Sequence, residues 1–239
     1  MSFFELSRTG HVATVALNRP EKANALDLNA WHELGQLFTT LDAEDGVHVV
    51  LLIGNGRHFC AGMDLAVFEK LFPLDRAGKE HHILEIQRSI TAVEECGKPV
   101  VALIDGGCIG GGVDLITACD LRYCTDAAYF TVKEVDLGIV ADIGTLQRLP
   151  KIVSPGIAAE LAFTGRKVYG PEATRIGLCN ASFPTSKEAR TQVDRVMELI
   201  AGKDPRVLKG IKESLRFTRD HTVAEALTHV ANLSAGLLS

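Results

Sequence analysis

Three acidic residues stand where acids are costly. Asp114 follows a run of glycines and is flanked by Val113, Leu115 and Ile116. Glu134 has Val132 and Val135 close on either side. Asp142 sits in Gly138-Ile139-Val140-Ala141-Asp142-Ile143-Gly144, a window with no other charge. A carboxylate in such surroundings has its pKa raised by desolvation and by like-charged neighbours, which suits it to general acid or base work near neutral pH. The competing role for any acid is structural. Asp142 could cap a helix starting near Gly144, and Asp120, Lys133 and Asp136 read as partners of neighbours such as Arg122.

Two stretches could offer bare backbone N–H groups to a substrate oxygen. Residues 106–112 hold five glycines in seven positions, between an apolar run and a helical window. They lack the G-K-[S/T] ending of a phosphate loop and the G-x-G-x-x-G spacing of a dinucleotide fingerprint. What remains is a helix start whose N–H groups face a ligand, or tight packing of helix on sheet. The second stretch is Phe59-Cys60-Ala61-Gly62-Met63-Asp64-Leu65. Two N–H groups from separate loops aimed at one carbonyl would form an oxyanion hole for an enolate or a tetrahedral oxyanion. Other nucleophiles and bases have less to recommend them. His81 and His82 lie on a polar helical stretch, and His58 has no acid beside it in sequence. Ser89, Ser154 and Ser214 lack the G-x-S-x-G turn.

The elements that must position these groups alternate. Residues 11–17 and 47–53 read as strands, the second a buried apolar run. Residues 26–41 and 79–95 carry helical spacing. A further buried strand covers 100–104, a short helix 113–118, and short strands 121–123 and 129–132. This order predicts an α/β fold with parallel pairing. From residue 186 onward, three amphipathic helical windows (188–201, 205–219 and 223–237) form a helical tail.

Composition narrows the partners. The 239 residues carry 25 basic and 30 acidic side chains, a formal charge of −5, with no polybasic run, so nucleic acid and anionic membrane are not expected ligands. The six cysteines form no C-x-x-C pair and read as reduced, buried small hydrophobes. No apolar run is long enough to span a bilayer. The amino-terminal residues lack a signal-peptide pattern, and Gly236-Leu237-Leu238-Ser239 is not a peroxisomal address. A cytoplasmic protein is the expectation.

Together these motifs resemble the enoyl-CoA hydratase/isomerase, or crotonase, superfamily. The resemblance rests on Asn18-Arg19-Pro20 with Asn24-Ala25-Leu26, on Phe59-x-Ala61-Gly62-x-Asp64-Leu65, on Pro99-Val100 through Gly112, and on Gly144-Thr145-Leu146-Gln147-Arg148-Leu149. It implies a crotonase-type spiral of ββα units over 1–185 and a C-terminal helical region, 186–239, for oligomer contacts in a homotrimer or homohexamer. It also implies that the N–H groups of Met63 and Gly111 form the oxyanion hole. Ala61, Gly62, Met63, Asp64, Leu65 and Gly111 would bind an acyl-CoA thioester.

Within the superfamily, a hydratase would carry Glu at 114 and a small uncharged residue at 142. The trio seen here is similar to the Δ3,5-Δ2,4-dienoyl-CoA isomerase branch. That similarity implies Glu134 as base at C2, Asp142 as proton donor at C6 and Asp114 as tuner of Glu134. The reaction would be a 1,5-proton shift in a dry pocket, converting 3,5- to 2,4-dienoyl-CoA in degradation of unsaturated fatty acids. No cofactor is implied, CoA being part of the substrate. The alternatives are an enoyl-CoA hydratase using Asp114 and Glu134 on water, and a non-catalytic scaffold of the same fold that binds acyl-CoA or RNA.

Overall fold

The structure is a computed structural model describing residues 2–237; Met1, Leu238 and Ser239, the last two being the end of the expected helical region, lie outside the described residues. Strands are β1 (Phe4–Thr9), β2 (Val12–Leu17), β3 (Val49–Gly54), β4 (Val100–Ile104), β5 (Gly107–Ile109), β6 (Leu121–Thr125), β7 (Tyr129–Thr131), β8 (Val168–Tyr169) and β9 (Ala181–Phe183). Helices are α1 (Leu28–Asp42), α2 (Leu65–Leu71), α3 (Arg76–Glu95), α4 (Gly111–Thr117), α5 (Thr145–Arg148), α6 (Pro155–Thr164), α7 (Gly170–Arg175), α8 (Ser186–Ala201), α9 (Pro205–Thr218) and α10 (Val223–Leu237).

The main sheet has the order β1-β2-β3-β4-β6-β9. Its β1–β2 pair is an antiparallel hairpin, and every later pairing is parallel. A small sheet, β5-β7-β8, stands beside it. The apolar runs of β3 and β4 follow from burial on both faces, since successive side chains point to opposite sides. Val50, Leu52, Val100, Ala102 and Ile104 join Trp31, Leu34 and Phe38 of α1 and Ile86, Ile90 and Val93 of α3 in the larger core. Val49, Leu51, Val101 and Leu103 face the other way, onto Ala189, Val193 and Met197 of α8. The first helix of the C-terminal tail is therefore the second layer over the main sheet.

The last two helices sit further out. Lys212 of α9 is buried, its ammonium 2.7 Å from Asp120 and 3.1 Å from the Lys98 carbonyl. Asp120 thus pairs with Lys212, and the expected partner Arg122 is engaged elsewhere, donating to the carbonyls of Leu178, Ile116 and Cys119 at the end of α4. Phe217 is stacked between His221 and His229, with ring centroids 3.6 and 4.1 Å apart, which joins α10 to α9. The outer faces of this pair leave Ile211, Leu215 and Leu227 exposed.

Helix starts are set by local caps. Asp75 accepts from Gly78 N–H at 2.8 Å, so α3 begins ahead of the apolar periodicity at 79. Asp27 accepts from Ala30 N–H at 3.0 Å and delays α1 to Leu28.

Candidate active site

Two loops run together where β3 and β4 end. The first, residues 60–64, is zipped to residues 23–26: Ala61 N–H reaches Ala23 O at 2.9 Å, Leu26 N–H reaches Gly62 O at 2.8 Å, and Asp64 N–H reaches Leu26 O at 2.9 Å. Gly62 N–H donates to Cys60 Sγ at 3.3 Å, so the N–H groups on either side of Met63 are used while Met63 N–H has no partner among the described residues. Buried Asn24 secures the base of the loop by donating to Asn55 O at 2.9 Å and His58 O at 2.8 Å. In sequence Asn24 stands out only as part of a motif; its backbone φ of 57° and its buried amide give it a structural duty.

The second loop supplies the glycines. Gly107 lies in β5, Gly110 turns the chain with φ 51°, and Gly111 opens α4 two residues before the predicted start. As the first helical residue, Gly111 has an N–H with no carbonyl partner in its own helix. Gly62, with φ 81°, makes the approach of the loops possible, because a Cβ there would fall 2.7 Å from Ile109 O and 2.8 Å from Gly111 N. The two free N–H groups therefore belong to backbones in contact.

Both loops border a cavity of about 600 Å³. Met63, Gly111, Glu134 and Asp142 line it, and its walls include Phe68, Leu71, Ile83, Ile86 and Ile139. Lys22, Lys79 and Lys133 line it as well. Asp64 touches this cavity but is committed elsewhere: it caps α2 through Ala66 N–H and pairs with Arg19 at 2.8 Å, and these contacts hold its carboxyl below the usual range. Leu65 is exposed at the edge, and Ala61 and Gly62 supply backbone.

The three acids occupy three different positions. Asp114, in the first turn of α4, is completely buried behind the cavity wall. Its Oδ1 accepts from Thr145 N–H at 2.5 Å, and its Oδ2 has no partner. Burial, followed by the charge of Glu134, pushes its pKa up to about 7, against the opposing bond from Thr145. Glu134 opens a single 3₁₀ turn, Glu134–Leu137, separated from β7 by Val132 and Lys133. Its Oε2 is buried without a partner, and Oε1 lies 2.9 Å from where a Gly110 Cβ would stand, so Gly110 must be glycine for this acid to fit. Burial first and the charge of Asp142 second raise its pKa. Asp142 stands between buried Ala141 and Ile143 and is itself exposed at the cavity's open side. Partial burial still raises its pKa.

Two expectations change here. Asp142 does not cap α5; the N–H of its first residue, Thr145, is taken by Asp114 across 31 positions of chain. Nor is the cavity sealed in the single chain, because Asp142 is exposed. Of the other residues weighed, His58 accepts from Gly107 N–H at 3.1 Å, a structural role outside the cavity, and Lys133 pairs with Asp136. Among the described residues no group of three or more metal-ligating side chains converges.

Asp114→Asn is expected to stabilise the folded chain above neutral pH. The native carboxyl holds its proton up to about 7, whereas an unfolded one releases it near 3.9. Stability therefore falls as pH rises through that window. A gap of about 3 units corresponds to about 4 kcal/mol, and an asparagine can keep the bond to Thr145. The measured Tm difference between variant and parent should widen from pH 5 to pH 8. A constant difference would show that Asp114 ionises normally.

Comparison with known proteins places this geometry. The profile of the enoyl-CoA hydratase/isomerase family matches residues 7–237. The peroxisomal Delta(3,5)-Delta(2,4)-dienoyl-CoA isomerase of Arabidopsis thaliana is 43% identical over 231 residues, covering 93% of this chain and 83% of that protein. The mitochondrial enzyme of the same name from Homo sapiens is 41% identical over 240 residues, covering 95% and 72%. A putative enoyl-CoA hydratase from Thermobifida fusca, solved in complex with acetoacetyl-CoA, superposes with a TM-score of 0.92 at 26% identity over 99% of this chain and 95% of its own. With the fold, the paired loops and these relatives in agreement, the chain belongs to the enoyl-CoA hydratase/isomerase, or crotonase, family.

Proposed function

We propose that this enzyme is a Δ3,5-Δ2,4-dienoyl-CoA isomerase. The observation that carries the reading is a second acid, Asp142, on the same cavity as Glu134 and the two free N–H groups. The thioester oxygen accepts from Met63 N–H and Gly111 N–H, which stabilises the dienolate as it forms. Glu134 takes a proton from C2. The negative charge spreads along the conjugated chain, and Asp142 delivers a proton at C6. Asp114 is the tuning acid in this scheme: it lies behind the cavity wall, and the charge of Glu134 helps to keep its carboxyl protonated. After one turnover Glu134 has gained a proton and Asp142 has lost one; the exposure of Asp142 gives solvent a route to restore it.

The isomerisation is redox-neutral and its charge is carried by backbone dipoles and the thioester, so no cofactor enters the scheme and CoA belongs to the substrate. The lysines lining the cavity match the charge of the CoA phosphates. The walls from α2 and α3 would receive the acyl chain.

Turnover separates this reading from a hydratase. The enzyme should convert a 3,5-dienoyl-CoA much faster than it hydrates crotonyl-CoA; the reverse order would make Asp114 and Glu134 a water-activating pair. Tight acyl-CoA binding with no turnover of either would favour the scaffold reading. RNA has little support from a net charge of −5.

The same proposal includes a homotrimer or homohexamer in which the C-terminal helical region makes the contacts. The exposed Ile211, Leu215 and Leu227, and the open side of the cavity at Asp142, support it. Light scattering is expected to give three or six copies, and Leu215→Glu to shift the mass toward the monomer. A cytoplasmic location is part of the proposal too, supported by six free, buried cysteines; fractionation tests it against the organellar locations in the relatives' names. No helix among the described residues is long and apolar enough to cross a membrane.

A further inference from the structure

The segment that carries Asp142 is anchored by the buried side chains of Ala141 and Ile143 but has few hydrogen bonds of its own. It runs from the 3₁₀ turn ending at Leu137 to the start of α5 at Thr145 and contains no regular element. Residues 140–143 make no backbone hydrogen bond to another residue's backbone, and the one contact their carbonyls receive comes from a side chain. That side chain is Gln87 of α3, whose Nε2 donates to Asp142 O at 2.6 Å.

Gln87 is the first of three residues on one face of α3 that hold this segment. Gln87, Thr91 and Glu94 follow at i, i+4 and i+7, so they share a stripe. Arg148, at the end of α5, donates to Thr91 Oγ1 at 3.3 Å and to Glu94 Oε2 at 2.8 Å. Gly144 leaves room for that guanidinium, since a Cβ there would be 1.9 Å from Arg148 Nη1. On the far side, Thr145 N–H is held by Asp114. Residues 142–148 are thus suspended between α3 and α4. Only the Gln87 contact falls on the acid itself. The neighbouring face of α3 presents Ile83 and Ile86 to the cavity, so one helix places both the apolar wall and the acid.

We propose that Gln87 is a positioning residue for Asp142: its amide fixes the acid's main chain so that the carboxyl meets the far end of the bound acyl group. The inference rests on the dienoyl-CoA isomerase reading for its catalytic consequence. Proton transfer is steeply sensitive to placement, and a shift of about 1 Å can cost about 10²-fold.

Gln87→Met keeps length and volume while removing the donor. It should lower kcat for 3,5-dienoyl-CoA isomerisation by about 10- to 100-fold, with KM little changed. Gln87→Glu sets a carboxylate against the Asp142 carbonyl and should lower it further. Exchange of the C2 proton with deuterated water depends on Glu134 and the oxyanion hole, so it should persist, and the ratio of exchange to isomerisation should rise by the same factor. Arg88→Gln, on the same helix but directed to Glu85 and away from the segment, should leave that ratio at the wild-type value. Equal loss of both activities in the Gln87 variants, or loss of neither, would overturn the proposal.

A second measurement needs no substrate. Backbone NMR order parameters of residues 140–143 should fall in Gln87→Met while those of α3 hold; unchanged values there sink the tether. A wild-type enzyme inert toward dienoyl-CoA would sink the functional reading instead, so the two failures are distinct.

Discussion

Glu134→Gln is expected to lower 3,5-dienoyl-CoA turnover by about 10⁴-fold, the upper range for a lost general base. Glutamine keeps the shape beside Gly110, so the cavity and the two backbone donors survive. What is lost is the only cavity-lining carboxylate among the described residues whose buried oxygen has no partner and is free to take a proton. Wash-in of solvent deuterium at C2 should vanish with turnover, while KM stays close to the parent's. Undiminished exchange at C2 would remove Glu134 from the role of base. The pH profile adds a signed test. Burial and the charge of Asp142 place the Glu134 carboxyl above its ordinary range. The rate of C2 exchange should therefore rise with pH above the usual carboxylate window, as the base ionises.

Asp142→Asn should divide the reaction into halves. Loss of the donor at C6 is expected to cost about 10³-fold in isomerisation. Abstraction at C2 does not need it, so C2 exchange should continue. Its acidic limb should move to lower pH, because removing the Asp142 charge removes one of the causes that raise Glu134. In the parent enzyme run in deuterated water, the 2,4-dienoyl product should carry deuterium at C6, since Asp142 exchanges freely with solvent. Near wild-type isomerisation by Asp142→Asn would end the proposed donor role and leave a simple C2 acid–base enzyme.

Much of this site was legible without coordinates, for a physical reason in each case. Asp114, Glu134 and Asp142 were visible because charge in an apolar window is expensive. The apolar runs of β3 and β4 announced strands buried on both faces, and the main sheet bears that out. The glycines of 106–112 announced close backbone approach, though the helix begins inside the cluster, at Gly111, where side-chain periodicity carries no signal. Short elements such as β8, β9 and α7 left no pattern to read, because two to six residues repeat too few times to establish a period.

The sequence by itself determined the kind of chemistry: acids in apolar surroundings, small residues where N–H groups must be bare, and too little positive charge for nucleic acid. Tertiary structure alone decided where each acid stands. Asp114 binds Thr145 from behind the wall, Glu134 lines the cavity beside the free N–H groups, and Asp142 stands at the open side, held by Gln87 from 55 residues away. Residue type and spacing report solvation preference and local periodicity. Which carboxyl faces a ligand, which faces a peptide N–H and which faces water depends on contacts between distant segments, and those are fixed only when the parallel sheet brings β3, β4 and their loops side by side.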